Sequence, residues 1–109
     1  MKDIKEILWF DGAKLRPFGE GDEGRAFKWI LTEKDERLIL IAMPDDTGLD
    51  FHKELRDTVC RLKGWRPDDI KILGGGARLK DGEILHKSTF FGEMPKEYRE
   101  ATLSVLRLK

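Results

Sequence analysis

Apolar and polar positions in the first half of the chain fall into short runs and alternations, the pattern of strands rather than helices. Ile4 to Phe10 and Ala13 to Phe18 flank Asp11-Gly12, a pair suited to positive φ, and predict a hairpin. A glycine-rich acidic loop runs from Gly19 to Gly24. Ala26 to Thr32 and Arg37 to Met43 then predict a second hairpin across Lys34-Asp35-Glu36. Leu38-Ile39-Leu40-Ile41-Ala42-Met43 is apolar on both faces, as expected of a strand in the middle of a sheet.

The period then changes. Phe51, Leu55, Val59 and Leu62 recur at helical spacing, with Thr47 or Asp50 available as a cap and Gly64 and Pro67 as a stop. Ile70 to Leu73 predicts a short strand leading into Gly74-Gly75-Gly76, followed by a hairpin around Asp81-Gly82 formed by Arg78-Leu79-Lys80 and Glu83 to Phe90. Pro95 suits the first turn of a closing helix, whose stripe is Tyr98, Ala101, Val105 and Leu108. Helix formers from Lys96 to Ala101 favour helix there over a terminal strand. With no repeat or linker, residues 1–109 read as a single α/β (α+β) domain: one mixed β-sheet with two helices packed on it.

Composition narrows the classes of function. Lysine plus arginine number 21 and aspartate plus glutamate 21, so the formal net charge is zero and attraction to nucleic acid is not expected. Asparagine and glutamine are both absent while Glu, Lys and Arg abound, which points to a thermophilic source. The single cysteine, Cys60, excludes an internal disulfide and reads as a packed helix thiol. No apolar run is long enough to span a membrane, and the chain start is not a signal peptide, so a soluble cytoplasmic protein is expected. No His/Asp/Glu cluster has metal-ligand spacing, and neither a metal nor a cofactor is expected.

A few polar residues interrupt these apolar elements. Lys28 lies within Ala26-Phe27-Lys28-Trp29-Ile30-Leu31 and alternates to the face of Ala26 and Ile30. It reads either as a lysine snorkelling at an edge or as an ammonium aimed at an anion. His52 opens the first helix, roughly 100° from the apolar stripe. It is either a surface histidine or a neutral ring, kept so by the helix N-terminus and able to accept a proton. Gly74-Gly75-Gly76 lacks Walker and dinucleotide spacing and reads as a bend or bulge, or as a source of backbone N–H groups close to Arg78. Ser88-Thr89-Phe90-Phe91-Gly92 leaves a strand for a loop, which either turns or forms an anion-binding concavity. His86 follows the strand alternation and reads as structural.

Taken in order, Phe27-Lys28-Trp29-Ile30-Leu31, Phe51-His52, Leu73-Gly74-Gly75-Gly76 with Arg78, and Ser88 to Gly92 resemble the janus/ocnus family, which includes the protein histidine phosphatases. The similarity spans Phe27 to Pro95. It implies His52 as the catalytic histidine, Lys28 as the phosphate-binding lysine, and Ser88, Thr89 and Phe90 as the amide loop. Gly75, Gly76 and Arg78 complete the implied phosphate-binding set. Ala77 separates the glycines from Arg78, and acidic residues (Asp45, Asp46, Asp50) stand where animal members carry basic ones.

The reaction so implied is metal-independent hydrolysis of a phosphoramidate, either protein phosphohistidine or phospholysine. His52 acts as general base on water, while Lys28 and the amides hold the phosphoryl oxygens. The expected partner is a phosphorylated protein or a small phosphoramidate, and the expected state is a monomer. The rival readings are a non-catalytic phosphate-binding module and an interaction subunit.

Overall fold

The computed structural model describes residues 4–19, 21, 25–44, 53–88 and 96–106, with the backbone alone described at 53 and 86–88. Its strands are β1 (Ile4–Phe10), β2 (Leu15–Pro17), β3 (Phe27–Lys34), β4 (Arg37–Pro44), β5 (Lys71–Arg78) and β6 (Ile84–Ser88); its helices are α1 (Lys53–Lys63) and α2 (Lys96–Leu106). They build one six-stranded sheet in the order β2-β1-β4-β3-β5-β6. β1 runs parallel to β4 and every other pairing is antiparallel, so the sheet is mixed, as the patterning predicts.

Local chemistry accounts for the connections. The Asp11 carboxylate accepts hydrogen bonds from the N–H groups of Ala13 and Lys14, both at 2.8 Å, and Gly12 takes φ +105°. Asp35 and Glu36 alone make the β3–β4 turn, at φ +51° and +63°, the mirror-type geometry that matches strand twist. Lys34, expected in that turn, belongs to β3 and pairs with Arg37. α1 ends at Gly64 (φ +74°), where Trp65 N–H donates to the Cys60 carbonyl at 2.8 Å and Gly64 N–H to that of Arg61 at 3.4 Å. This is the double hydrogen bond of a glycine-terminated helix.

Each sheet face carries its own apolar layer. On one, Trp9, Phe27, Trp29, Leu31, Leu38, Leu40 and Ala42 pack with Leu106 of α2. On the other, Leu8, Phe10, Ile30, Ile39, Ile41 and Met43 pack with Leu55 and Val59 of α1. Residues 38–43 of β4 are therefore buried on both sides, as their unbroken apolar run requires. The buried arc of α1 runs from Leu55 through Val59 to Cys60. At 100° per residue, Leu62 falls just beyond the rim of that arc, and it is 45% exposed rather than core. Thr47, Asp50, Phe51, Pro95 and Leu108, named above as caps, starts or stripe positions, lie outside the described residues.

The strand expected to stop at Leu73 continues through the glycines to Arg78. The pairing Leu31↔Gly74 and Thr32↔Ile72 leaves Leu73 as an extra residue, a one-residue bulge in β5. Gly76 is needed because the Trp29 indole lies against it. A methyl group added there would stand 2.8 Å from Trp29 Cε2, and closer still to Trp29 Cζ2 and the Leu85 carbonyl oxygen.

Candidate functional site

Lys28 stands on β3 between Met43 of β4 and Ala77 of β5. Alternation puts it on the face of Ile30, the face that α1 covers. The far end of α1 is anchored at the opposite end of the sheet. Lys63 Nζ pairs with Glu6 Oε1 at 3.1 Å, and the Lys34 and Lys63 ammonium groups lie 5.4 and 5.5 Å from the Trp65 ring centroid. From Lys34 back to Lys28 is about 20 Å of strand, and α1 is about 16 Å long. Leu55, near the start of α1, joins the apolar layer that contains Met43, the register partner of Lys28. Hence α1 begins over the Lys28 end of the sheet, and its first residue, Lys53, directly follows His52 in the chain.

His52, Thr89 and Phe90 themselves lie outside the described residues. Ser88 closes β6 opposite Gly74, which in turn faces Leu31. Ser88 is thus two strands across and three residues along from Lys28, a backbone separation of about 14 Å. The register does not bring these two residues together. Gly75 faces Ile30, on the Lys28 side, and Gly76 faces Trp29, on the other. Both are internal to a strand flanked by β3 and β6, so their N–H groups are directed into the ladders rather than into a loop.

Arg78 is set apart by the same bulge. Its register partner is Phe27, on the α2 face, and its Nη1 donates to the Arg25 carbonyl at 3.3 Å. The Arg25 guanidinium in turn lies 5.1 Å from the Trp9 ring centroid, with that of Arg16 at 5.4 Å. If the Thr32↔Ile72 register ran on without the extra residue at Leu73, every later position of β5 would change face and Arg78 would stand on the Lys28 side, opposite Ala26. Two residues not expected in the site share the Lys28 row instead: Ala77 on β5 and Leu85 on β6. The Asp81-Gly82 turn could have revealed their mutual pairing, but nothing local could have aligned them with Lys28.

Cys60 is a free, buried thiol, and burial pushes its pKa up, away from the reactive thiolate. Among the described residues no group of three or more His, Cys, Asp or Glu side chains is placed to hold a metal ion. Among them, too, no helix is long and apolar enough to cross a membrane. No protein-family model, curated protein or solved structure matches this chain, so the family resemblance rests on the ordered residues quoted from the sequence.

Proposed function

We propose that this protein is a metal-independent cytoplasmic hydrolase of phosphoramidates, acting on phosphohistidine or phospholysine after the manner of the protein histidine phosphatases it resembles. The observation that carries this reading is the position of Lys28. It lies on the α1 face of the sheet, at the end where α1 begins, one residue after His52. Had the lysine fallen on the α2 face, as Arg78 does, an ammonium and an imidazole could not serve one phosphoryl group.

In this mechanism His52 takes a proton from water as the water oxygen forms a bond to phosphorus. The P–N bond breaks, and its electron pair leaves with the nitrogen, which is protonated from solvent. Lys28 balances charge on the non-bridging oxygens; Ser88, about 14 Å away across the sheet, has no part in this scheme. Positioning and charge stabilisation supply most of the rate because the P–N bond is labile. Arg78 has no role in this scheme.

The test is hydrolysis of phosphoramidate and of a histidine-phosphorylated peptide by the full chain. His52→Ala is expected to lower turnover at least ~10²-fold, the usual contribution of a general base. Lys28→Ala is expected to raise KM and to lower kcat together, since one preorganised donor aimed at developing charge is worth about 3–4 kcal/mol. EDTA is expected to leave the rate unchanged. Equal turnover by His52→Ala and the parent overturns the proposal; binding of the phosphopeptide with no turnover by the parent identifies a phosphate-binding module instead.

A further inference from the structure

We propose that Leu85, with Ala77 beside it, is the step on which the polypeptide flank of a phosphorylated protein substrate rests while Lys28 holds the phosphoryl group. The inference builds on the hydrolase reading above and commits it to a protein-borne substrate.

Lys28 pairs with Ala77, and Ala77 with Leu85, so the three form a row across β3, β5 and β6. Residues directly opposite in antiparallel strands share a face, and this row lies on the α1 face. Its two ends are about 10 Å apart, two strand spacings. Leu85 is 41% exposed, one of two large apolar side chains left so exposed among the described residues; the other, Leu62, lies on α1. Among the described residues the buried layer beneath α1 draws on β1, β3 and β4, with Leu15 of β2 packed against it, and none of these comes from β5 or β6. On this face Ile72 and Gly75 of β5 are still buried, so the exposed apolar surface begins at Leu85 on β6. β6 is the outermost strand, so a polypeptide reaches this row from the sheet edge without crossing another strand.

Chemistry selects the occupant. A cation followed within about 10 Å by a small residue and an exposed leucine suits a ligand that is anionic at one end and apolar beyond it. A phosphorylated side chain carried on its backbone has that reach and polarity. A free phosphoramidate engages only the Lys28 end.

The experiment measures two substrates on the full chain, inorganic phosphoramidate and a peptide histidine-phosphorylated by it, with Leu85→Ser and Leu85→Met as variants. Leu85→Ser is expected to raise KM for the phosphopeptide about fivefold, the effect of losing burial of roughly half a leucine side chain. Its kcat, and both constants for phosphoramidate, stay at parental values, and Leu85→Met restores the peptide KM. An unchanged peptide KM, with both substrates hydrolysed, overturns the role of Leu85 and leaves the hydrolase reading standing. Equal loss on both substrates also overturns it, because the leucine then acts on the fold or on the phosphoryl site. If the parent hydrolyses neither substrate, the hydrolase reading fails and this inference falls with it.

Discussion

Gly76→Ala separates a glycine required by packing from a glycine required by a ligand. The added methyl would sit 2.8 Å from Trp29 Cε2, and nearer still to Trp29 Cζ2 and the Leu85 carbonyl oxygen. Carbon atoms in favourable contact are about 3.5–4.0 Å apart. Neither neighbour has an easy retreat. The Leu85 carbonyl is backbone of β6, and the Trp29 ring is fully buried, with Phe27 5.9 Å away centroid to centroid. Relief requires either parting β5 from β6 or pushing the indole into the layer shared with α2. Overpacking usually costs ~1–3 kcal/mol, and two rigid neighbours put this site at the upper end, about 3 kcal/mol. Domains of this size unfold with only about 5–15 kcal/mol, so the loss is large. The thermal midpoint is expected to fall by about 10–20 °C. Urea unfolding, followed by tryptophan fluorescence and far-UV circular dichroism, measures it. Gly12→Ala is the control: its φ is +105° but nothing lies within 4 Å of the added methyl. That change is expected to cost only the backbone strain, about 1–2 kcal/mol. A Gly76→Ala protein within ~0.5 kcal/mol of the parent would falsify the packing argument, since that is the range of inconsequential surface changes. Preserved stability with lost phosphoramidate hydrolysis would return the glycine to the site.

Glu36 holds φ +63° in the β3–β4 turn, so Glu36→Gly is expected to stabilise the protein by ~0.5–1 kcal/mol, visible as a higher midpoint in urea. Buried Cys60 has its pKa raised by burial, so the unfolded chain loses the thiol proton first as pH rises. Its contribution is complete below the unfolded value of ~8.5 and is lost between there and the folded pKa. Cys60→Ala is expected to flatten the alkaline arm of the stability profile, and the native thiol is expected to react with a disulfide reagent only at the rate of unfolding. The backbone N–H groups of Lys14 and Ala13 hold the Asp11 carboxyl below its usual range. Its stabilising effect is therefore present above the unfolded pKa and lost as pH falls through the folded one. Carbon-detected NMR titration is expected to show the low value, and an ordinary Asp11 pKa would contradict the turn geometry.

Much of the local structure is legible in the residues themselves. Asp11-Gly12 and Asp81-Gly82 mark their turns because glycine readily takes the positive φ that Gly12 and Gly82 adopt. Gly64 ends α1 for the same reason. The unbroken apolar run from Leu38 to Met43 announces an inner strand, since only burial on both faces makes such a run stable. The face of Lys28 also follows from sequence, because alternation along β3 is a local property.

Its neighbours do not follow. The parallel pairing of β1 with β4 and the antiparallel pairing of β3 with β5 join segments distant in the chain, where no turn sets the register. One extra residue at Leu73 then reverses the face of everything after it in β5. That shift seats Gly76 under the Trp29 indole, sends Arg78 to the α2 side, and puts Ala77 beside Lys28. By itself the sequence determined the number and order of most strands and helices, because those choices rest on periodicity and permitted φ, though not that β5 runs on through its glycines to Arg78. Which of them meet was decided only by the tertiary structure, because a pleat has a period of two and a single bulge exchanges its faces.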